Sequence, residues 1–120
     1  PCSGLGALRR RPEARWRRQP ADLPALTKLQ GQLLDAAVRM LRPGGVLVYA
    51  TCSPHLAETL VPVGDALRRH PELRQADARP LFPGVPHLGA GPAVQLWPHL
   101  HGTDAMHVAV LYRDARAEAP

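Results

Sequence analysis

A chain of 120 residues, 45% of them apolar, has room for one small domain and no more. It contains no run of about 20 apolar residues that would span a bilayer, nor the charged-then-apolar layout of a signal peptide, so a soluble cytoplasmic protein with no membrane partner is expected. The net charge of +5 lies entirely within residues 9–18, where six arginines face the single acid Glu13, while the remaining nine basic and nine acidic residues cancel. Such local asymmetry suits a polyanion, because each phosphate contact releases condensed counterions; an arginine-rich solvated loop is the plainer alternative.

In chain order, residues 1–6 (Pro-Cys-Ser-Gly-Leu-Gly) read as a loop, and residues 9–24 are polar and interrupted by Pro12, Pro20 and Pro24, which argues against a long helix there. Over residues 25–42, Leu26, Leu29, Leu33, Leu34, Ala37, Val38 and Leu41 recur in steps of three and four, the pattern of a helix with one buried face. Pro43-Gly44-Gly45 ends it. Residues 46–50 (Val-Leu-Val-Tyr-Ala) form an uninterrupted apolar run of the kind found in a parallel strand covered on both faces. A second amphipathic helix is predicted over residues 58–69, closed near Pro71. Residues 79–92 make a Pro/Gly-rich loop, and residues 106–112 a terminal strand. Helix, buried strand, helix, loop and strand make half of an α/β sheet.

Functional residues of open α/β sheets gather at the carboxyl ends of strands. Cys52 stands there, directly after the buried strand, and Cys2 takes the equivalent place if a strand precedes Pro1. The two thiols then face one another across adjacent strand ends. Two cysteines are too few for a disulfide framework, and neither is in a Cys-x-x-Cys pair. Taken singly, each is more readily read as a small buried hydrophobe, and it is the pair, each beside a serine in a strand-end loop, that favours chemistry. Six histidines raise the question of a metal. His99 and His101 alternate on a presumed extended segment without a cysteine or carboxylate at zinc spacing, so no metal is expected. Ser3 and Ser53 lack the Gly-x-Ser-x-Gly elbow of a serine hydrolase.

Four blocks carry a resemblance that covers nearly the whole chain: Pro1-Cys2-Ser3-Gly4-Leu5-Gly6 with Arg10-Arg11-Pro12 and Trp16; Leu29-Gln30-Gly31-Gln32-Leu33-Leu34 leading to Leu41-Arg42-Pro43-Gly44-Gly45; Leu47-Val48-Tyr49-Ala50-Thr51-Cys52-Ser53; and Trp97-Pro98-His99 with His101-Gly102-Thr103-Asp104. In this order the sequence resembles the RsmB-like, or Sun-family, RNA 5-methylcytosine methyltransferases. The resemblance implies an α/β fold, the C-terminal half of a Rossmann-like S-adenosylmethionine-dependent methyltransferase sheet, with residues 1–120 as the C-terminal part of the catalytic domain. It implies ribosomal RNA, 16S above all, as substrate and partner, and S-adenosylmethionine as cofactor. Cys52 would be the nucleophile that adds to carbon 6 of cytosine, and Cys2 would assist release of the methylated product. Because the thiolate is the reactive form, Cys52 is expected to have a depressed pKa.

Arg10 and Arg11 would hold the RNA backbone while the base turns into the pocket. Trp16 would stack on a base or pack locally, and Lys28 and Gln30 would be structural or peripheral. The family's Asp-Ala before Pro-Cys-Ser and its cofactor-binding glycine loop are expected upstream of Pro1, so the chain alone is expected to be inactive. Its late block continues Gly-Phe-Phe where this sequence has Ala105-Met106-His107, a change expected to disturb the last strand. The rival function is a non-catalytic basic RNA-binding or assembly module. A DNA cytosine methyltransferase fits less well, since those enzymes use a nucleophile in the Pro-Cys loop and do not need the Thr-Cys-Ser one.

Overall fold

The computed structural model describes residues 1–115. After a 3-10 turn at Leu5–Ala7 come α1 (Ala14–Arg17), α2 (Asp22–Met40), β1 (Val46–Thr51), a second 3-10 turn at Leu56–Glu58, α3 (Leu60–Arg69), β2 (Leu73–Ala76), a third turn at Arg79–Leu81, β3 (Val94–Leu96), α4 (Pro98–His101) and β4 (Met106–Arg113). β4 is the central strand. The whole of β1 pairs antiparallel with it, from Val46 opposite Tyr112 to Thr51 opposite His107. On its other edge β3 pairs with the first half and β2 with the second, both antiparallel.

Both long helices lie where periodicity sets them, with shifted ends. α2 starts at Asp22, so Pro24 sits in its first turn, where a missing N–H removes no intrahelical bond. α3 begins two residues late because residues 56–58 wind as a 3-10 turn. Leu34 and Val38 from α2 and Val63 and Ala66 from α3 pack on Leu73, Ala109 and Leu111 of the sheet. Alternation along β4 turns Val110 to the opposite face, where it meets Ala78, Leu88 and Val94, as the two-residue side-chain period of a strand requires.

Three expectations are corrected. β1 is neither parallel nor covered on both faces: it is antiparallel to β4, and Val46 and Val48 remain 64% and 56% exposed. Its order in the sheet leaves one edge unpaired among the described residues, and beside that edge a groove runs between Leu33, Leu34 and Ala37 of α2 and Leu47 to Thr51 of β1. The segment of His99 and His101 is helical rather than extended. His101 uses Nδ1 to accept the Trp97 backbone N–H at 2.9 Å, and its Nε2 lies 2.8 Å from the Pro86 carbonyl oxygen. The Ala-Met-His substitution leaves β4 intact, in register from residue 106 onward.

Candidate active site

β1 delivers Cys52 to its carboxyl end, and the loop of residues 1–6 crosses the same end from the α2 side. The loop is pinned by backbone hydrogen bonds: Gly6 N–H to the Cys52 carbonyl at 2.8 Å, and Ala105 N–H to the Gly6 carbonyl at 2.8 Å. The two sulfur atoms consequently lie 3.2 Å apart, each half-buried and each reduced.

Beneath the thiols is a buried carboxylate. Glu58 is 0% exposed and accepts four hydrogen bonds, from Ser3 N–H at 2.6 Å, Ser3 Oγ at 2.6 Å, Ser53 Oγ at 2.6 Å and Gln30 Nε2 at 3.2 Å. Its own carbonyl accepts from the hydroxyls of Tyr49 at 2.8 Å and Thr51 at 3.3 Å. Burial pushes the Glu58 carboxyl up, but the donors from Ser3, Ser53 and Gln30 outweigh it and hold the group below the usual carboxylate range. Gln30, expected to be structural or peripheral, is a buried structural member of this cluster and also reaches the Pro1 carbonyl at 2.9 Å. Lys28 is exposed.

In front of the thiols opens a cleft of about 490 Å³, lined by Cys2, Cys52, Arg10, Arg11, Glu13, Arg17 and Arg18 among others. Its cations are not equivalent. Arg10 grips Asp104 with Nε and Nη2, the latter at 2.7 Å, and Arg9 joins the same carboxylate at 3.0 Å. Arg10 first, then Arg9, holds the Asp104 carboxyl below its ordinary value. Arg11, Arg17 and Arg18 form no salt bridge among the described residues. Trp16 is 76% exposed rather than packed, with the Arg15 guanidinium 4.7 Å above its ring.

Burial, with the hydrogen bond and charge of Cys2 behind it, pushes the Cys52 thiol up to about 11. This overturns the expected depressed value. Arg10, which interacts with the Cys52 charge, is already neutralised by Asp104, whose own charge further disfavours a thiolate. No group of three or more possible metal ligands occurs among the described residues, and no helix is long and apolar enough to cross a membrane.

Glu58, Arg17 and Arg18 were not singled out by sequence reasoning. An acid in the first turn of a predicted helix has a ready explanation in the helix dipole, which concealed Glu58. Arg17 and Arg18 belong to the same arginine-rich segment as Arg10 and Arg11 but lie outside the block that carries the resemblance, and only the fold brings them to the cleft.

Residues 1–112 match the family model described as 16S rRNA methyltransferase RsmB/F. A putative methyltransferase of Mycobacterium tuberculosis is 69% identical over 114 residues, covering 94% of this chain and 25% of that protein. Ribosomal RNA small subunit methyltransferase B of Vibrio cholerae is 39% identical over 111 residues, 92% of this chain and 24% of its own length. Among solved structures, NSun6 from Pyrococcus horikoshii with SFG superposes with a TM-score of 0.76 at 30% identity, over 96% of this chain and 28% of that one. The chain thus spans about a quarter of the length of the curated relatives it matches, and its fold is part of a Rossmann-like methyltransferase sheet.

Proposed function

The chain belongs to the 16S rRNA methyltransferase RsmB/F family, and we propose that it is the C-terminal part of the catalytic domain of an RNA cytosine-5 methyltransferase, with 16S ribosomal RNA as substrate. The observation that carries this reading is the pair of sulfur atoms 3.2 Å apart at the mouth of an arginine-lined cleft. Two thiols so close suit a reaction in which one sulfur bonds to a ring carbon and a second group must act on the neighbouring carbon.

Cytosine is a poor nucleophile at carbon 5. Cys52 adds to carbon 6, forming the sulfur–carbon bond and shifting the ring's π pair onto carbon 5, which can then take a methyl group. Once carbon 5 is methylated, its proton passes to Cys2, the ring double bond returns, and Cys52 leaves as the thiolate. Burial and Cys2 itself raise the Cys52 pKa, so deprotonation of Cys52 is an uphill step whose proton leaves to solvent, which keeps Cys2 available as the base toward carbon 5.

The donor in this reading is S-adenosylmethionine, which supplies the methyl group. The residues described here do not fit its adenosine. The glycines with left-handed backbone sit in loops or at helix ends, and none forms the glycine-rich strand-to-helix turn, with an acid following, that such a group needs. The chain's share of the reaction is therefore the cytosine side. The groove along the open edge of β1 is the face on which we propose the rest of the sheet adds.

Arg11, Arg17 and Arg18 would hold RNA phosphates. Arg10 would contact the backbone through Nη1, the nitrogen that Asp104 leaves free. The test uses the protein at the full length of its relatives and RNA carrying 5-fluorocytosine. A covalent adduct should form, Cys52→Ala should abolish both adduct and methylation, and Cys2→Ala should let adducts to ordinary cytosine accumulate. Unchanged methylation by Cys52→Ala would overturn Cys52 as the nucleophile, and a full-length wild-type protein that binds RNA without ever methylating it would leave only a non-catalytic RNA-binding module.

A further inference from the structure

Glu58 has no part in the chemistry above, yet it is a fully buried carboxylate whose bonds run to both cysteine loops. Isolated burial of a charge costs many kcal/mol, and here four neutral donors, with no cation among them, satisfy it. An apolar side chain of similar volume would fill the same space without that demand. What an apolar group cannot do is tie two separate loops to one point. Ser3 follows Cys2 and Ser53 follows Cys52, so each serine is one peptide from a thiol. The tie to the Ser3 N–H holds the very peptide bond that joins Cys2 to Ser3. Oε2 alone takes the hydroxyls of both serines at 2.6 Å. On the other side the Glu58 carbonyl holds Tyr49 and Thr51, the end of the strand that presents Cys52.

We infer that Glu58 is a positioning residue: its carboxylate clamps the loops of Cys2 and Cys52 together and so sets the separation of the two sulfurs. The inference rests on the proposed cytosine-5 reaction for its functional meaning, but the clamp itself is measurable without it. Glutamine at this position keeps the volume and replaces one acceptor oxygen by an N–H₂ that faces donors. The loops then lose their common anchor.

The experiment follows two readouts in the protein at the full length of its relatives. The first is the rate at which diamide joins Cys2 to Cys52, the two thiols giving up two hydrogens to the azo bond as the disulfide forms, followed across about pH 7 to 10 so that a change in thiolate fraction is separated from a change in proximity. The second is kcat and KM for RNA methylation. Glu58→Gln should slow cross-linking about tenfold or more at every pH and lower kcat up to about a hundredfold with KM for RNA unchanged, since about 1 Å of misplacement has effects of that size. Cross-linking at the wild-type rate overturns the inference, as does a fall in activity that resides in KM. If Glu58→Gln does not fold, Ser53→Ala releases the Cys52 loop, while Ser3→Ala removes one of the two ties of the Cys2 loop and leaves its N–H tie: slowed cross-linking in Ser53→Ala sustains the clamp, and a wild-type rate in it rejects the clamp. A wild-type protein that cross-links readily but never methylates RNA sinks the functional reading and leaves the clamp to be judged on cross-linking alone.

Discussion

Gly6 is stitched between Cys52 and Ala105: its N–H meets the Cys52 carbonyl at 2.8 Å, and its own carbonyl receives the Ala105 N–H at 2.8 Å. A Cβ on Gly6 would run into the Ala105 carbonyl oxygen and come within 2.8 Å of the Cys52 carbonyl group. All of these are backbone atoms that cannot swing aside. Gly6→Ala should therefore destabilise the protein by about 1–3 kcal/mol, measured by urea denaturation, and should slow Cys2–Cys52 cross-linking. Gly31 is the contrast, lying inside α2 with open space where a Cβ would go. Gly31→Ala should stabilise by up to about 1 kcal/mol.

What the sequence disclosed and what it concealed divide along range. The long helices and the strands at residues 46–51 and 106–113 carry their period within one local window, and all four are found within a few residues of where pattern puts them. β2 and β3 are four and three residues long, too short for alternation to register. They exist because each finds a stretch of β4 to pair with. The site behaves the same way. Cys2 and Cys52 were recognisable from their Pro-Cys-Ser and Thr-Cys-Ser settings. The tie of Asp104 to Arg9 and Arg10, 95 and 94 positions away, is visible only once β4 has returned to the cleft, and so is the neutralisation of Arg10.

The raised Cys52 pKa has a separable cause in Cys2. Burial is the largest contribution and remains in any variant, while the hydrogen bond and charge of Cys2 come next. Alkylation of Cys52 by iodoacetamide, mapped by mass spectrometry, should rise with pH toward a midpoint of about 11 in the wild type. In Cys2→Ala the midpoint should move down toward the ordinary thiol range. A midpoint unmoved by that change would mean the two sulfurs do not interact in solution.

Three cations of the cleft, Arg11, Arg17 and Arg18, carry charge that no acid in the described chain offsets through a salt bridge. Each phosphate contact on single-stranded RNA contributes roughly 0.7 to the slope of log affinity against log salt. Replacing all three by alanine should reduce that slope by about 2, as read from filter binding or fluorescence anisotropy over a salt series. Asp104→Asn should act oppositely: by freeing Arg9 and Arg10 it should tighten binding and steepen the slope. A triple variant whose slope matches the wild type would place the RNA elsewhere.

His107 offers an acid-side test of the fold that is independent of the cleft. It is 2% exposed, its ring lies edge-on to Tyr49 with centroids 6.3 Å apart, and its buried Nε2 has no hydrogen-bond partner. Burial holds its pKa down at about 4, against an unfolded value near 6.5. Above about pH 6.5 the ring is neutral in both states and folding bears no penalty. As pH falls below that point the unfolded chain takes up the proton first, so stability declines, and the decline from this residue is complete near pH 4 at roughly 3 kcal/mol. The carboxylates Asp35, Asp77, Asp104 and Glu58, all held below their ordinary values, lose their contribution only at lower pH. The window from about pH 6.5 to 5 therefore isolates the histidine. Urea midpoints measured through that window should fall in the wild type, and His107→Phe, which fills the site with a ring that cannot be protonated, should flatten the curve there while leaving the steeper loss below about pH 4.5 in place. An equal slope in both proteins would show that the histidine ring reaches water before the chain unfolds.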